Sequence, residues 1–471
     1  MDHLGPNHFL SLPRPDSLSS TASNVPDTTT LAAHDFDVDT RTGFLPPQAP
    51  ISRLPATLEC WEVVLEDAIA SKLQLGEKPD LSDGEKKKSE EWRERVRKLP
   101  ILSIDELKNS EIALRRAHQV LGWIMHFYIH SMPPSEAICI PPPITLPLLQ
   151  VSAQLQLPPV LTYSDDVLYN WRLDSENPEE LPTIAALRRC QISFTSTTDE
   201  AEFYLVPARM ELAGVEALEL MRSTMDEMFV GDEIAVRRIT GYLRELADVI
   251  QRLRELLLSV REGCDPHRFY NDIRPWFRGE DSQAGRKWVF EGIEQDPNLV
   301  APKELSGASA GQSTLIHALD VFLGVNQTSK LLKRMQTYMP RHHRAFLAHL
   351  ANNPRPLRDL VFTAATSDNG QTKDGAALLD AYNGAVMALK EFRDAHMIIV
   401  TLYVIGPARH AQKALQESGQ PIPTASDYVQ QAPNDDTIGK DQEGLKGTGG
   451  TDLVQFLKGV RDQTKEAVIK I

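Results

Sequence analysis

Apolar residues recur along most of the chain at steps of three and four, which is the spacing of one face of an α-helix. Alternating runs of β-branched residues are scarce, so the sequence predicts an all-α fold class. His396 lies in the middle of the apolar face of the segment 375–405, and Gly406-Pro407 is expected to end that helix. From residue 197 onward, helices are predicted near 197–229, 233–262, 313–325, 328–337, 341–351, 355–365, 375–405 and 451–469.

The N-terminal part of the chain also carries helical patterns. Helices are predicted over 58–73 and over a segment that begins near Ser103 and ends near His130. Ser103 and Glu106 have the spacing of a capping box, which marks a helix start. The charged segment 76–91 has few apolar residues and is expected to be a loop or a solvated helix end.

Composition divides the chain into regions. The first is rich in Ser, Thr, Pro, Asn and Asp and is expected to be disordered. The polar, Gly- and Pro-rich segment 412–450 is too long for an ordinary connection, so it is either disordered or a functional lid. A short helix is expected near 148–155 within a proline-rich connector. The predicted regions are a tail, a small helical domain, this connector and a larger helical domain, at 1–35, 36–131, 132–165 and 166–471.

Charge and cysteine content narrow the class of protein. The net charge of −15 argues against a general nucleic-acid or anionic-membrane surface. Cys60, Cys139, Cys190 and Cys264 form no CxxC pair, so a reducing compartment fits better than a disulfide framework. The N-terminus lacks the layout of a signal peptide, and no apolar run is long enough for a membrane span. We therefore expect a cytoplasmic protein.

Several histidines occur in pairs or on an apolar helix face. His126 and His130 are one helical turn apart, which suits two metal ligands. No nearby acid or cysteine completes the set, so packing is favoured. His342 and His343 are adjacent and point in different directions, which favours a solvated or capping role. For His396, the helix face alone favours a core histidine bonded to protein over a metal or haem ligand.

A run of small residues, 307–313, precedes the helix at 313–325. It allows close approach of another helix or of a planar cofactor, or it is a tight helix entry with a serine cap; both interpretations stay open. Asp320 interrupts the apolar face of the following helix. A buried acid needs a cationic partner, and Arg393, one turn before His396, is a candidate. An exposed, unpaired Asp320 fits the sequence equally well.

Two further segments suggest ligand recognition. The aromatic segment 269–277 holds Arg274, whose planar guanidinium suits a carboxylate. A surface ion pair at a packed helix end is the simpler interpretation of that segment alone. The glycine-rich segment 447–452 opens the last helix. It suits closure over a polar or anionic ligand, or it is a flexible linker that caps the helix.

Taken together, these segments resemble the indoleamine 2,3-dioxygenase family, which are haem enzymes that act on tryptophan. The similarity covers about 40 to 471 in order, with weaker matches at 43–44, 157–161 and 170–171. The segments that carry it are 307–313, 338–340 with 343–344, 393–403 and 447–453.

This resemblance implies a haem site and a substrate site. His396 would be the proximal ligand of haem b, supported by the pair Asp320 and Arg393, and Ser309 would also contact the haem. Tyr163 and Phe203 would pack on the indole ring. The residues implied in substrate binding are Tyr163, Phe203, Phe269, Tyr270, Arg274, Ser309, Ala310 and Thr448, of which Arg274 would clamp the substrate carboxylate and Thr448 would close over the amino-acid end.

The implied reaction is oxidative opening of the indole ring. Ferrous haem and O2 would carry the chemistry, so no side chain is assigned as catalytic with certainty. Both oxygen atoms would enter across the C2–C3 bond of L-tryptophan or a related indole, giving N-formylkynurenine, the first step of the kynurenine route to NAD. An external electron donor would keep the haem reduced. A monomer without nucleic-acid or membrane partners is expected.

Two positions depart from the family pattern. Pro207 stands where a distal serine is expected, so it offers neither a hydroxyl nor a backbone donor. Asp166 stands where a cysteine is expected, and a carboxylate there would repel a substrate carboxylate or be costly in an apolar pocket. The alternative function is therefore a haem- or indole-binding member with weak or altered-substrate activity. A helical interaction scaffold without a cofactor is a third hypothesis.

Overall fold

The computed structural model describes residues 36–417 and 453–471, except 176, 178–179, 283–284, 327–328, 353–356 and 367–372. The predicted tail 1–35 and residues 418–450 of the predicted loop lie outside the described residues. Helices dominate the described chain, which confirms the all-α prediction. The helices of seven or more residues are α1 (Glu59–Ala70), α2 (Asp83–Arg97), α3 (Glu111–His130), α4 (Pro142–Leu155), α5 (Thr198–Ala213), α6 (Val215–Val230), α7 (Glu233–Gly263), α8 (Thr314–Phe322), α9 (Lys330–Gln336), α10 (Arg341–Ala351), α11 (Leu357–Thr366), α12 (Lys373–Val400), α13 (Gly406–Glu417) and α14 (Leu453–Glu466).

Four short strands accompany these helices in the described chain. They are β1 (Ile138–Ile140), β2 (Trp171–Arg172), β3 (Arg189–Cys190) and β4 (Trp288–Phe290). β1 pairs with β4 in parallel, with Ile138 opposite Trp288. β2 pairs with β3 in antiparallel register. The parallel pair joins the proline-rich connector to a segment about 150 residues later in the chain.

α2 and α3 begin at serine caps, but neither cap is the predicted one. The Ser82 hydroxyl accepts a hydrogen bond from the Glu85 amide, and the Glu85 carboxylate accepts one from the Ser82 amide, which is a capping box. Of the two alternatives for 76–91, the solvated helix end therefore applies from residue 83 onward. The prediction at Ser103 was wrong, because that residue precedes a short 3₁₀ turn and α3 is capped by Ser110. The sequence spacing of a capping box occurs at both Ser82 and Ser103, and packing of the following helix decides between them.

The proline-rich connector contains a longer helix than predicted. α4 begins at Pro142 rather than near 148, with Pro141 as its N-cap. Proline is tolerated in the first turn because the amide that it lacks has no partner within the helix there. The division of the chain into a small and a large domain stays a prediction. Buried apolar residues from the N-terminal helices and from α12 belong to one hydrophobic cluster.

The longest helices, α7 and α12, pack against each other over much of their length. After α12 the chain continues through a π-helical turn, Thr401–Ile405, directly into α13. The expectation that Gly406-Pro407 ends the helix was therefore wrong. Pro407 lies in the first turn of α13, immediately after the π-helical turn. Residues 412–417 of the predicted loop belong to this helix.

None of the described helices is both long enough and apolar enough to cross a bilayer. α8 and α12 instead cross the protein interior, and they bring Asp320 and His396 to one cavity.

Candidate functional site

The candidate site is a cavity of about 320 Å³ between α5, α8, α12 and the segment 269–277. The structure places most of the predicted site residues on its wall. Tyr270 is outside the lining but packs against Arg274, and Thr448 lies outside the described residues. The predicted residues that line the cavity are Tyr163, Phe203, Phe269, Arg274, Ser309, Ala310, Asp320, Arg393 and His396.

His396 presents a neutral imidazole to the cavity. Burial, with a further contribution from the Arg393 charge, lowers its pKa to about 4. Its side chain is half-buried, and no residue of the described chain forms a hydrogen bond with it. An uncharged ring nitrogen facing a cavity has the lone pair that a metal ligand requires.

The other predicted histidines are bound to protein. His126 Nδ1 lies 2.7 Å from the Trp276 carbonyl oxygen, and His130 Nε2 lies 3.1 Å from the Arg278 carbonyl oxygen. Both rings are buried and bonded to backbone carbonyl oxygens, so packing was the right interpretation of this pair. The solvated or capping role was wrong for His343, because it is fully buried.

Asp320 and Arg393 form a buried ion pair between α8 and α12. Arg393 Nη2 donates to both carboxylate oxygens of Asp320 at 2.6 Å. Its other terminal nitrogen contacts the hydroxyl of Thr464 on α14. The structure excludes the alternative of an exposed Asp320. Three helices are joined by these contacts one turn from His396.

The small-residue run combines both of the roles considered for it. Ser309 caps a 3₁₀ turn, where its hydroxyl accepts from the Gly311 amide at 3.2 Å. A Cβ on Gly307 would lie 1.9 Å from the carbonyl oxygen of Phe277, so this glycine is required by another backbone segment. Residues 308–311 line the cavity, and their small side chains leave it open.

An aromatic wall borders the cavity on the side of α5. The Phe203 ring centroid lies 4.5 Å from that of Phe269 and 5.7 Å from that of Phe277. Phe269 also packs edge-on against Tyr403, whose hydroxyl donates to the Cys264 carbonyl at 2.6 Å. These contacts hold flat apolar surfaces in place, which suits an aromatic ligand.

Arg274 brings a buried cation to this wall. Its guanidinium carbon lies 5.7 Å from the Tyr270 ring centroid. Burial and the Arg278 charge lower its pKa to about 10, so it stays protonated at neutral pH. The side chain is 8% exposed, and the surface ion pair was therefore the wrong alternative. A buried guanidinium at a cavity favours an anionic ligand.

Glu211 and His317 also lie on the cavity wall, and the sequence interpretation missed both. No local sequence signal marks Glu211, because its surroundings come from residues distant in the chain. Its Oε1 atom accepts from the Tyr163 hydroxyl at 2.9 Å and from the Ser313 hydroxyl at 2.7 Å. Burial raises the pKa of Glu211 to about 7. His317 Nε2 lies 2.9 Å from the Gly311 carbonyl oxygen, and burial lowers the pKa of His317.

Asp166 is buried on a π-helical turn, Ser164–Leu168, and lines the cavity. Its Oδ1 atom has no hydrogen-bond partner in the described chain. Burial, with the nearby charge of Asp165, raises the pKa of Asp166 well above its ordinary value. The expected repulsion of a substrate carboxylate requires the ionised form, and burial disfavours that form. Pro207 lines the same cavity from within α5, as expected.

The neighbouring acid, Asp165, anchors this turn. It accepts from His118 Nδ1 at 2.8 Å and from the amide and hydroxyl of Thr162, each at 2.8 Å. His118 Nε2 lies 3.0 Å from the Pro158 carbonyl oxygen. Both ring nitrogens therefore face acceptors, so His118 is an imidazolium, and Asp165 raises its pKa against the opposing effect of burial.

The chain is similar to known proteins over most of its length. A family model described as indoleamine 2,3-dioxygenase matches residues 32–467. The chain is 32% identical to an indoleamine 2,3-dioxygenase of Saccharomyces cerevisiae, with 90% of each chain covered. It is 31% identical to indoleamine 2,3-dioxygenase 2 of Homo sapiens, with 95% of this chain and 98% of that one covered. Indoleamine 2,3-dioxygenase 1 of Rattus norvegicus is 28% identical over 92% of this chain and 95% of its own.

Proposed function

The chain belongs to the indoleamine 2,3-dioxygenase family, and on that basis we propose that it is a haem-dependent dioxygenase. Its substrates are L-tryptophan and O2, and its product is N-formylkynurenine. The observation that carries the proposal is the neutral, unbonded imidazole of His396 in a cavity that also holds the Arg274 guanidinium. Such a cavity combines a ligand for iron with a site for a carboxylate.

The residues on the α12 side of the cavity fit haem b. His396 would ligate the iron through its ring nitrogen, and the Asp320–Arg393 pair would fix the helix that carries it. When bound, haem supplies a ferrous iron that activates O2. The small side chains of Ala308, Ser309 and Ala310 leave space on the cavity wall for the planar group.

The remaining wall binds the amino acid. The Arg274 guanidinium would hold the tryptophan carboxylate, while Tyr163 and Phe203 would pack against the indole ring. Ser309 has a hydroxyl that accepts from Gly311 and keeps its own proton to donate into the cavity. The apolar residues around these groups exclude water, which strengthens each polar contact. We also propose that Thr448 closes over the amino-acid end of the substrate.

The same assignment extends to the electron donor, the metabolic route, the oligomeric state and the location of the enzyme. We propose that an external electron donor keeps the iron ferrous, and that the reaction opens tryptophan catabolism through the kynurenine route. A monomeric, cytoplasmic enzyme is supported by the absence of CxxC pairs and by the net charge of −15. We also propose that the chain divides into a small N-terminal helical domain and a large C-terminal one.

The test is an assay of the purified, reduced holoenzyme with L-tryptophan. We expect N-formylkynurenine to form, and His396→Ala to lose both the Soret band and the activity. His267→Ala is the matched control, because His267 is exposed and should leave both unchanged. A helical scaffold would show no Soret band at all. A band that survives His396→Ala would contradict the ligand assignment.

A further inference from the structure

Two consecutive acids on the π-helical turn, Asp165 and Asp166, differ in how many hydrogen-bond donors surround them. Asp165 is fully engaged, because His118 and the amide and hydroxyl of Thr162 all donate to it. No such set of donors surrounds Asp166, whose Oδ1 atom lacks a partner in the described chain. The turn therefore needs Asp165 for its own structure, whereas the Asp166 carboxyl bonds only its own backbone amide within the described chain and leaves Oδ1 without a partner.

The position of Asp166 points to a ligand. Its side chain is 4% exposed and lines the cavity, whose wall also includes the apolar residues Val167, Phe203 and Pro207. A polar group buried among apolar side chains costs free energy unless it forms a hydrogen bond. A bound molecule that brings a hydrogen-bonding group to this part of the wall would remove that cost.

The chemistry of that group follows from the protonation state. Burial and Asp165 raise the pKa of Asp166, which favours the protonated carboxyl. In that form the group has both an O–H donor and a carbonyl acceptor. A hydroxyl group matches this pair, since it also donates and accepts. The Arg274 guanidinium suits the anionic end of the substrate, which leaves the apolar wall at Asp166 for the indole ring.

We propose that the Asp166 carboxyl hydrogen-bonds a hydroxyl group on the six-membered ring of an indole substrate. Ring-hydroxylated tryptophans therefore bind more tightly than tryptophan itself. This inference rests on the proposed function, because it assumes that the cavity takes an indole amino acid. Asp166 is a specificity-determining residue in this role and takes no part in the reaction with O2.

The experiment measures dissociation constants by calorimetry with the holoenzyme, and KM and kcat separately. The ligands are L-tryptophan, its four ring-hydroxylated isomers and the methyl analogues of the same positions, which match the hydroxyl in size. We expect one hydroxylated isomer to bind roughly tenfold or more tightly than its methyl analogue, since a site with an unpaired polar group discriminates strongly. Asp166→Leu should reverse this order, and Asp166→Asn should keep it.

The outcomes separate the inference from the proposed function. Equal binding of each hydroxyl and methyl pair by an enzyme that converts tryptophan would overturn the inference alone, as expected if water occupies the position. A preference that survives Asp166→Leu but disappears in Glu211→Gln would assign it to the other acid and contradict the proposal. Failure to bind any indole would contradict the proposed function itself. The comparison of hydroxylated and methylated ligands in the wild-type protein tests the inference even if Asp166→Leu does not fold.

Discussion

The two carboxylate oxygens of Asp320 each lie 2.6 Å from Nη2 of Arg393, and both side chains are buried. This pair joins α8 to α12 one helical turn before His396. A buried pair of this kind contributes little net stability compared with apolar residues, but either partner alone is a buried, uncompensated charge. Its place beside His396 favours a role in fixing the position of α12, the helix that carries the proposed iron ligand.

Breaking the pair on one side should destabilise the fold strongly. We expect Asp320→Leu or Arg393→Leu to lower the free energy of unfolding by about 3–5 kcal/mol, and the double variant to recover most of the loss. Urea unfolding of the three variants measures this. Lys390→Ala is the control, since Lys390 pairs with Asp394 on the same helix at a half-exposed position and should cost less than about 1 kcal/mol. A double variant as unstable as the worse single variant would contradict this account.

The carboxylate clamp predicts a selective loss of amino-acid binding. Arg274→Leu should raise the KM for tryptophan by roughly 30-fold to 150-fold, the equivalent of about 2–3 kcal/mol for a charged hydrogen bond. Indole lacks the carboxylate, so its dissociation constant should stay unchanged in the same variant. Arg278→Leu is the control, because the half-buried Arg278 guanidinium pairs with Glu77 at 2.9 Å and is outside the described cavity lining. An unchanged KM in Arg274→Leu would remove the clamp assignment.

Local periodicity allowed most of the helices to be predicted. It also made Asp320 and Arg393 candidates for an ion pair, because each interrupts or flanks an apolar helix face, but an exposed, unpaired Asp320 fitted the sequence equally well. Only the fold brings the two side chains together. The start of α3 at Ser110 was not predictable in this way, because Ser103 has the capping-box spacing to Glu106, whereas the residue three positions after Ser110 is Ala113. Glu211 escaped notice because only the fold shows that Tyr163 and Ser313 donate to its carboxylate.

Close backbone approach makes Gly307 intolerant of any side chain. A Cβ at this position would lie 1.9 Å from the Phe277 carbonyl oxygen, so Gly307→Ala must displace one of two backbone segments at the cavity. We expect a loss of at least about 2 kcal/mol in unfolding free energy, together with weaker tryptophan binding. Gly384→Ala is the matched control. Apart from its own stretch of helix, no atom of the described chain lies within 4 Å of the added Cβ, and alanine should stabilise α12 by about 0.5–1 kcal/mol. Equal effects of the two substitutions would contradict this interpretation of Gly307.

Glu211 should make the stability of the protein depend on pH near neutrality. Its pKa is about 7 in the folded protein, against an ordinary value of 4.5, because burial disfavours the charged form. The folded state thus keeps a proton that the unfolded state has lost. The stability from this group is fully present below about pH 4.5 and is lost as pH rises through about 7, by about 3 kcal/mol.

Glu211→Gln isolates this effect, since glutamine keeps an acceptor for the Tyr163 and Ser313 hydroxyls but does not titrate. Asp166, on the neighbouring turn, also has a raised pKa and is present in both proteins, so its contribution cancels in the difference. Unfolding free energies measured by urea titration between about pH 5 and pH 8 should fall more steeply for the wild type than for the variant. Parallel curves would show that Glu211 ionises at its ordinary pKa, and that water or another donor reaches its second oxygen.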